Sequence, residues 1–410
     1  MKVLIADKFD QRGQTLLAKL GCRVFFQPEL SADNLPKGVA EHDPDVLIVR
    51  STKVHAEAIH TGRRLKLIIR AGAGYDTIDM ATASEEGVFV ANCPGKNAIA
   101  VAELAWGLIL SCDRRIPDQT ADLRAGRWDK KTYGTAQGLY GRTLGVLGMG
   151  TIALEVVRRA RAFGMSVIAW SRSLIAEKAH KLGVEHAPSP RDVAEKSDIV
   201  SVHVASTPET RHLINADFIA AMKPGAFLIN TTRGAVVDEA ALLRGIADKG
   251  LRVGLDVYQN EPGSGKGGFD SELARNPSVY GTHHIGASTN QAQQAIADEV
   301  VSIVAHYRET GQVLNCVNRA ERSPATCILT VRHRNRPGVL ANVFQVLSEA
   351  RNNVEEMENI LYQGAQAATA RIQLDSAPAS EHLQEMREKC SDILSIELTL
   401  LADSRAPEGD

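Results

Sequence analysis

Short β-branched runs alternate with helically patterned segments from the start of the chain. Residues 2–6, 23–27, 45–50, 67–70 and 88–92 read as strands, and segments such as 11–20 space their apolar positions as a helix does. Such alternation implies right-handed βαβ units and a parallel sheet. A long apolar helix is expected over residues 98–112. A second alternating series follows, with strands over 143–147, 166–170, 199–203, 226–230 and 252–257. Two successive series mean an α/β protein with two doubly wound parallel-sheet domains. The pattern changes after residue 315. Residues 318–324 are polar and read as a linker. Strand (327–333), helix (339–350), two strands (354–361 and 367–374), helix (379–390) and strand (393–401) then follow. That βαββαβ order is the ferredoxin-like arrangement. Residues 403–410 read as a frayed tail.

Composition adds limits rather than a new direction. With 44% hydrophobic and 23% charged residues over 410 positions, the chain has ordinary globular character and room for two or three domains. Its 47 lysines and arginines against 49 aspartates and glutamates leave a net charge of -2. No basic excess exists to draw it to nucleic acid or a membrane surface. Cysteines at 22, 93, 112, 316, 327 and 390 form no C-x-x-C pair, so neither a metal site nor a disulfide framework is expected. The opening M-K-V-L-I-A-D is too short for a signal peptide, and no apolar run could span a bilayer. A soluble, cytoplasmic protein is the expectation.

Candidate chemistry begins where the second series begins. The strand at 144–147 runs directly into Gly148-Met149-Gly150-Thr151-Ile152-Ala153 and a helical segment. In that setting G-x-G-x-x-A fits a dinucleotide fingerprint. Gly148 makes the tight turn, Gly150 lets backbone approach a pyrophosphate, and Thr151 and Ile152 open the helix whose N-terminus receives it. The next strand should end in an acid for the adenosine ribose, but Ala169-Trp170-Ser171-Arg172-Ser173 contains no carboxylate. Ser171 and Arg172 therefore admit a 2′-phosphate, so NADP stands beside NAD as a cofactor.

Three candidates lie just beyond later strand ends, where parallel sheets deliver residues to a ligand crevice. Arg233 in Asn230-Thr231-Thr232-Arg233-Gly234 offers a permanent charged fork for a carboxylate. Glu261 ends the run 256–261, and His284 follows Tyr280 and Gly281. A histidine oriented by a glutamate can take and return a proton near neutral pH. Each residue also has an ordinary reading: a surface charge, a turn residue before proline, a satisfied core histidine.

Taken together, the motifs R-S-T-K-V at 50–54, R-A-G-A-G at 70–74, N-T-T-R-G at 230–234, D-V-Y-Q-N-E-P at 256–262 and H-I-G-A-S-T at 284–289 change that balance. Across nearly its whole length the chain resembles the D-isomer-specific 2-hydroxyacid dehydrogenases, and among them the phosphoglycerate dehydrogenases. The resemblance implies Arg233 as the substrate-carboxylate arginine, Glu261 as the glutamate partner and His284 as the acid–base histidine. It implies cofactor contacts from Val204, Thr231, Thr232, Gly286 and Ala287, with Asp256 facing the nicotinamide carboxamide. It implies a flavodoxin-like substrate domain (1–97 and 284–315) split by an inserted Rossmann domain (98–283). A linker (316–325), a regulatory domain of the ACT type (326–401) and a homodimer or homotetramer complete the implied organisation. Two departures stand out: His283 where proline is common, and Ser171 where NAD-using members place aspartate.

The substrate reading rests on two further arginines. Arg50 and Arg70 sit at the expected carboxyl ends of substrate-domain strands, and Ala71 and Gly72 can offer backbone amides to an anion. With Arg233 they suit a substrate bearing carboxylate and phosphate. Similarity to phosphoglycerate dehydrogenases implies oxidation of 3-phosphoglycerate to 3-phosphohydroxypyruvate, the entry to serine synthesis. A glyoxylate/hydroxypyruvate reductase is the enzymatic alternative, and a non-catalytic nucleotide-sensing regulator the alternative of another class. In the last domain, H-R-N-R-P-G-V-L at 333–340 resembles the serine-binding segment of ACT domains. His333, Asn335 and Asn353 are then the expected effector residues, with L-serine as effector.

Overall fold

The structure, a computed structural model, describes residues 1–262, 267–320 and 323–401. The tail at 403–410 lies outside the described residues. The chain divides into two compact units, Met1–Asn318 and Arg319–Asp410.

Five short strands form the first sheet: β1 (Lys2–Ile5), β2 (Arg23–Phe26), β3 (Val46–Val49), β4 (Leu67–Arg70) and β5 (Phe89–Asn92). Their order is β2-β1-β3-β4-β5, and every pairing is parallel. This is the expected flavodoxin-like order, whose switch point lies between β1 and β3. β3 is buried along its whole length, which explains why it reads as a continuous apolar run rather than an alternating one.

A second parallel sheet takes seven strands: β6 (Thr143–Leu147), β7 (Ser166–Trp170), β8 (Glu185–His186), β9 (Ile199–Val202), β10 (Phe227–Asn230), β11 (Arg252–Leu255) and β12 (Val279–Gly281). Their order, β12-β11-β10-β9-β6-β7-β8, is doubly wound, with its switch point between β6 and β9. The long helix Ala98–Arg114 buries Ala102, Ala105, Trp106 and Ile109 in one core of this sheet, together with Val156 and Ala160 of the helix Thr151–Ala162. A separate core fills the opposite face. The helix Ile116–Arg124 is absent from the sequence reading because it buries no residue and therefore carries no apolar stripe.

The expected linker is shorter than its sequence suggests. Cys316 bridges Ala91, Val317 N–H donates to the Val90 carbonyl, and the Asn318 side chain bonds the backbone of Val88 and Val90. Residues 316–318 thus extend the first unit beside β5.

The second unit has four antiparallel strands, β13 (Cys327–Arg334), β14 (Val354–Leu361), β15 (Ala367–Leu374) and β16 (Ile393–Leu400), in the order β14-β15-β13-β16. Alternate residues of β13 and β15 are buried. They meet Val343, Val346 and Leu347 of the helix Val339–Glu349 and Met386 of the helix Ser380–Lys389 in one core. This is the ferredoxin-like topology. Among the described residues no helix is long and apolar enough to cross a membrane.

Candidate active site

The carboxyl ends of both parallel sheets carry polar residues that the strands cannot bury. At the switch point of the seven-stranded sheet, Gly148 has φ +90 and its N–H donates to the Trp170 carbonyl at 2.7 Å. A Cβ there would lie 2.5 Å from the His203 carbonyl oxygen and 2.9 Å from the Val204 nitrogen. Only glycine satisfies both conditions. Gly150 caps the helix Thr151–Ala162, and a Cβ on it would meet nothing within 4 Å. The first-turn N–H groups of Thr151 and Ile152 have no hydrogen-bond partner among the described residues, as at any helix start awaiting an anion. Thr231, almost fully buried, keeps its Oγ1 without a partner. An open backbone cradle and an orphaned hydroxyl fit a dinucleotide.

Other expected cofactor residues hold the protein itself. Thr232 donates both its N–H and its hydroxyl to Asn230 Oδ1, at 3.0 and 2.7 Å, so its side chain shapes the turn. Asp256, 1% exposed, accepts from Thr282 Oγ1 at 2.6 Å, Ile285 N at 2.8 Å and Gly286 N at 2.9 Å. Its carboxylate anchors the loop that carries His284. Ala287 uses its carbonyl to accept from Gln293. Ser171 is half-buried and Arg172 exposed at the end of β7.

His284 and Glu261 meet as the sequence suggests. His284 Nδ1 lies 2.7 Å from Glu261 Oε2, and Glu261 Oε1 accepts the Tyr258 N–H at 2.8 Å. Burial works against the Glu261 charge. The bonds from His284 and Tyr258 outweigh it and hold the carboxyl below its ordinary range. A carboxylate at Nδ1 leaves Nε2 as the nitrogen for exchange with a ligand. His284 has φ +52, a left-handed backbone uncommon for a histidine, and its N–H donates to the Asp256 carbonyl. Asp256 therefore fixes this loop through both side chain and backbone.

The arginines come from both sheets. Arg233 follows β10, and Asp76 from the loop after β4 grips it with two bonds: Nε to Oδ2 at 3.1 Å and Nη2 to Oδ1 at 3.0 Å. Burial opposes the Arg233 charge, but Asp76 outweighs it and holds the guanidinium above its ordinary range. Arg70 is pushed down to about 10, first by burial and then by the charge of Arg233. Burial also lowers Arg50, whose Nη2 donates to Ser288 Oγ at 3.3 Å.

One expectation is corrected at the R-A-G-A-G segment. The Ala71 N–H is spent on the Val49 carbonyl at 2.7 Å, and the Gly72 N–H on the Arg70 carbonyl at 2.8 Å. Neither is a spare donor for an anion. The glycines act as shelves instead. A Cβ on Gly72 would strike Arg70 Nη1, and one on Gly74 would lie 2.4 Å from Arg233 Nη2.

Sequence reasoning missed Asp76 and Asp7. Asp7, just beyond β1, accepts from the N–H groups of Arg50, Ser51 and Thr52 with one oxygen, at 2.7, 3.0 and 3.0 Å, and so holds the loop that presents Arg50. Its position beyond a strand end was the available signal. Among the described residues, no three His, Cys, Asp or Glu side chains gather as a metal site.

The effector residues are not brought together. His333 is 2% exposed, with Nδ1 on the Arg334 carbonyl and Nε2 facing Asn359. Asn335 donates to the Ala365 carbonyl at the end of β13, and Asn353 to Glu355 before β14. β13 Cys327 pairs with Leu374, which pairs with Val354, so Asn353 lies at the opposite end of the sheet from Asn335.

Comparison with known proteins places this geometry in context. Residues 106–286 match the family model for the D-isomer specific 2-hydroxyacid dehydrogenase NAD binding domain. A hydroxypyruvate reductase from Thermotoga maritima is 40% identical over 76% of this chain and 98% of its own length. A D-3-phosphoglycerate dehydrogenase from Methanocaldococcus jannaschii is 38% identical over 74% of this chain, but the match spans only 57% of that longer relative. An NADPH-dependent glyoxylate/hydroxypyruvate reductase from Sinorhizobium meliloti, solved with NADP and malonate, is 29% identical with a TM-score of 0.67. That match covers 77% of this chain and 96% of the solved one.

Proposed function

Because the chain belongs to the D-isomer specific 2-hydroxyacid dehydrogenase family, we propose that it oxidises 3-phosphoglycerate to 3-phosphohydroxypyruvate with NAD or NADP. The observation that carries this reading is the cluster of Arg50, Arg70 and Arg233 at the carboxyl ends of β3, β4 and β10, whose mutual repulsion adds to burial in lowering the Arg70 guanidinium. Asp7 and Glu261 also lie near these three half-buried cations, but Asp7 is bonded to backbone N–H groups and Glu261 to His284 and Tyr258. Among the described residues Asp76 on Arg233 is the one carboxylate bonded to any of the three, which leaves Arg50 and Arg70 without an ion-pair partner. A substrate with a carboxylate at one end and a phosphate at the other supplies the missing negative charge.

In this reading Arg233 binds the carboxylate and draws electron density from the adjoining carbon. His284 Nε2 takes the C2 hydroxyl proton, and Glu261 at Nδ1 stabilises the imidazolium that results. A nicotinamide dinucleotide held by the Gly148–Ile152 turn would supply the acceptor for the C2 hydride, so that loss of the hydroxyl proton to His284 and of the hydride together turn one hydroxyl into one ketone. Asp256 and Thr282 keep the histidine loop in register with the fork. The same groups run the reverse reaction, with His284 returning the proton.

A second reading is favoured by the Thermotoga relative, which this chain covers almost completely and which is named a hydroxypyruvate reductase. A steady-state panel of 3-phosphoglycerate, phosphohydroxypyruvate, hydroxypyruvate and glyoxylate, each with NAD(H) and NADP(H), separates the two. Efficient turnover of the phosphorylated pair is expected. Brisk reduction of glyoxylate or hydroxypyruvate with negligible use of phosphohydroxypyruvate would reject the phosphoglycerate reading. Arg172→Ala belongs in the panel, since a 2′-phosphate contact predicts a selective loss of NADP use.

The same reading extends to an ACT-type role for the second unit, with L-serine as effector, and to a homodimer or homotetramer. The support is the ferredoxin-like topology and the 333–340 segment. A cytoplasmic location accords with a biosynthetic dehydrogenase.

A further inference from the structure

Asp76 is the acid that the chemistry outlined above leaves without a task. Its ion pair with Arg233 joins loops 157 residues apart, one beyond β4 and one beyond β10. The two side chains keep 50% and 30% of their exposure, and a pair that exposed contributes little to stability. Its geometry is nonetheless specific. A guanidinium has five N–H donors. Asp76 takes Nε and one hydrogen of Nη2, and the Thr232 carbonyl takes one hydrogen of Nη1 at 2.8 Å. One hydrogen remains on each terminal nitrogen. Gly74 makes room for this arrangement: a Cβ there would lie 2.4 Å from Arg233 Nη2 and 3.1 Å from Asp76 Oδ1.

We propose that Asp76 is a positioning residue which, by occupying the Nε/Nη2 edge of Arg233, leaves the Nη1/Nη2 edge to the substrate carboxylate and so fixes where C2 stands relative to His284. The inference rests on the dehydrogenase reading. A free arginine can hold a carboxylate by either edge, and the two edges face different directions. Both modes bind, but only one aligns the reacting carbon, and misalignment of about 1 Å can cost a large factor in rate. Asp76 also repels the carboxylate it helps to place. Removing it therefore tightens ground-state binding while slowing the reaction, the reverse of what damage to the fold would do.

The test compares full-length wild type with Asp76→Asn, Asp76→Glu and Gly74→Ala, using the best 2-keto acid at saturating cofactor and calorimetric titration of oxalate. In Asp76→Asn, kcat should fall at least tenfold with KM unchanged or lower, and oxalate should bind at least threefold more tightly. Asp76→Glu should recover much of kcat. Gly74→Ala, whose backbone is not left-handed, should lower kcat at least threefold with an unaltered Tm, and it carries the test should Asp76→Asn not fold. Unchanged kcat in Asp76→Asn, or in Gly74→Ala where that variant stands in for it, overturns the proposal, as does a raised KM in Asp76→Asn. If wild type turns over no 2-hydroxy or 2-keto acid, the dehydrogenase reading fails and the oxalate titration decides alone. Tightening in Asp76→Asn then supports the edge assignment, and weaker or equal binding rejects it.

Discussion

Glu261 is only half withdrawn from water, yet its carboxylate is fully committed, one oxygen to His284 and the other to the Tyr258 N–H. Its main effect falls on the histidine, whose ring it orients through Nδ1. Glu261→Gln should therefore lower kcat at least about tenfold in both directions, since an amide holds the ring less firmly than a carboxylate at Nδ1. His284→Ala should lose at least the roughly 10²-fold typical of an absent general acid–base group at every pH. Rate profiles in both directions check this, and a Glu261→Gln profile superimposable on wild type would dissolve the pairing. Arg233, Glu261 and His284 were legible as candidates because each follows a strand end, and their roles came from the resemblance carried by the motifs around them. Asp76 and Asp7 were not, because their meaning lies in partners supplied by other loops. A lone aspartate after a glycine-rich turn looks like any turn residue until the arginine arrives from the other sheet.

At the scale of elements, β9 and the turn after β6 depend on one another. His203 follows the last residue of β9, its carbonyl closes over Gly148, and its Nε2 bonds Ser201 Oγ at 2.8 Å, while Nδ1 is buried with no partner among the described residues. Burial lowers its pKa to about 4. The folded protein thus holds a neutral imidazole that the unfolded chain protonates near its ordinary value of about 6.5. The unfolded state binds the extra proton, so the stability carried by the neutral ring is complete above pH 6.5 and drains away as pH falls toward 4. Between pH 7 and pH 5 the loss is on the order of 1–2 kcal/mol. His203→Gln, which can keep the Ser201 bond without titrating, should lose correspondingly less stability over that interval. Chemical denaturation at the two pH values measures the difference. Equal losses in wild type and variant would show that the ring is accessible to protons in the fold. The glycine turn itself was legible, because tight turn, strand and helix follow one another in sequence. Two-residue β8 was not, having too few positions to show a period. Nor was the helix Ile116–Arg124, whose residues all stay at least partly exposed.

For the whole molecule, the second unit sets a geometric condition on any effector. Asn335 follows the last residue of β13, while Asn353 stands beside Asp375 at the level of its first residue. An eight-residue strand separates them, more than about 20 Å at the rise of an extended chain. A single copy cannot close one amino-acid pocket with both. If L-serine is the effector, the pocket must take Asn335 from one copy and Asn353 from another, and a two-fold pair then holds two such pockets. Serine must also bind the less active arrangement more tightly, since only differential affinity shifts a population. Asn335→Ala and Asn353→Ala should each abolish serine inhibition as homo-oligomers while leaving uninhibited turnover intact. In a mixed oligomer purified through two different tags, one pocket combines both substitutions and the other combines two native asparagines. Calorimetry on the mixed species should recover serine binding at half the wild-type stoichiometry. A mixed oligomer as insensitive as its parents, beside a wild type that responds, would place the effector elsewhere; a wild type indifferent to serine would remove the effector altogether.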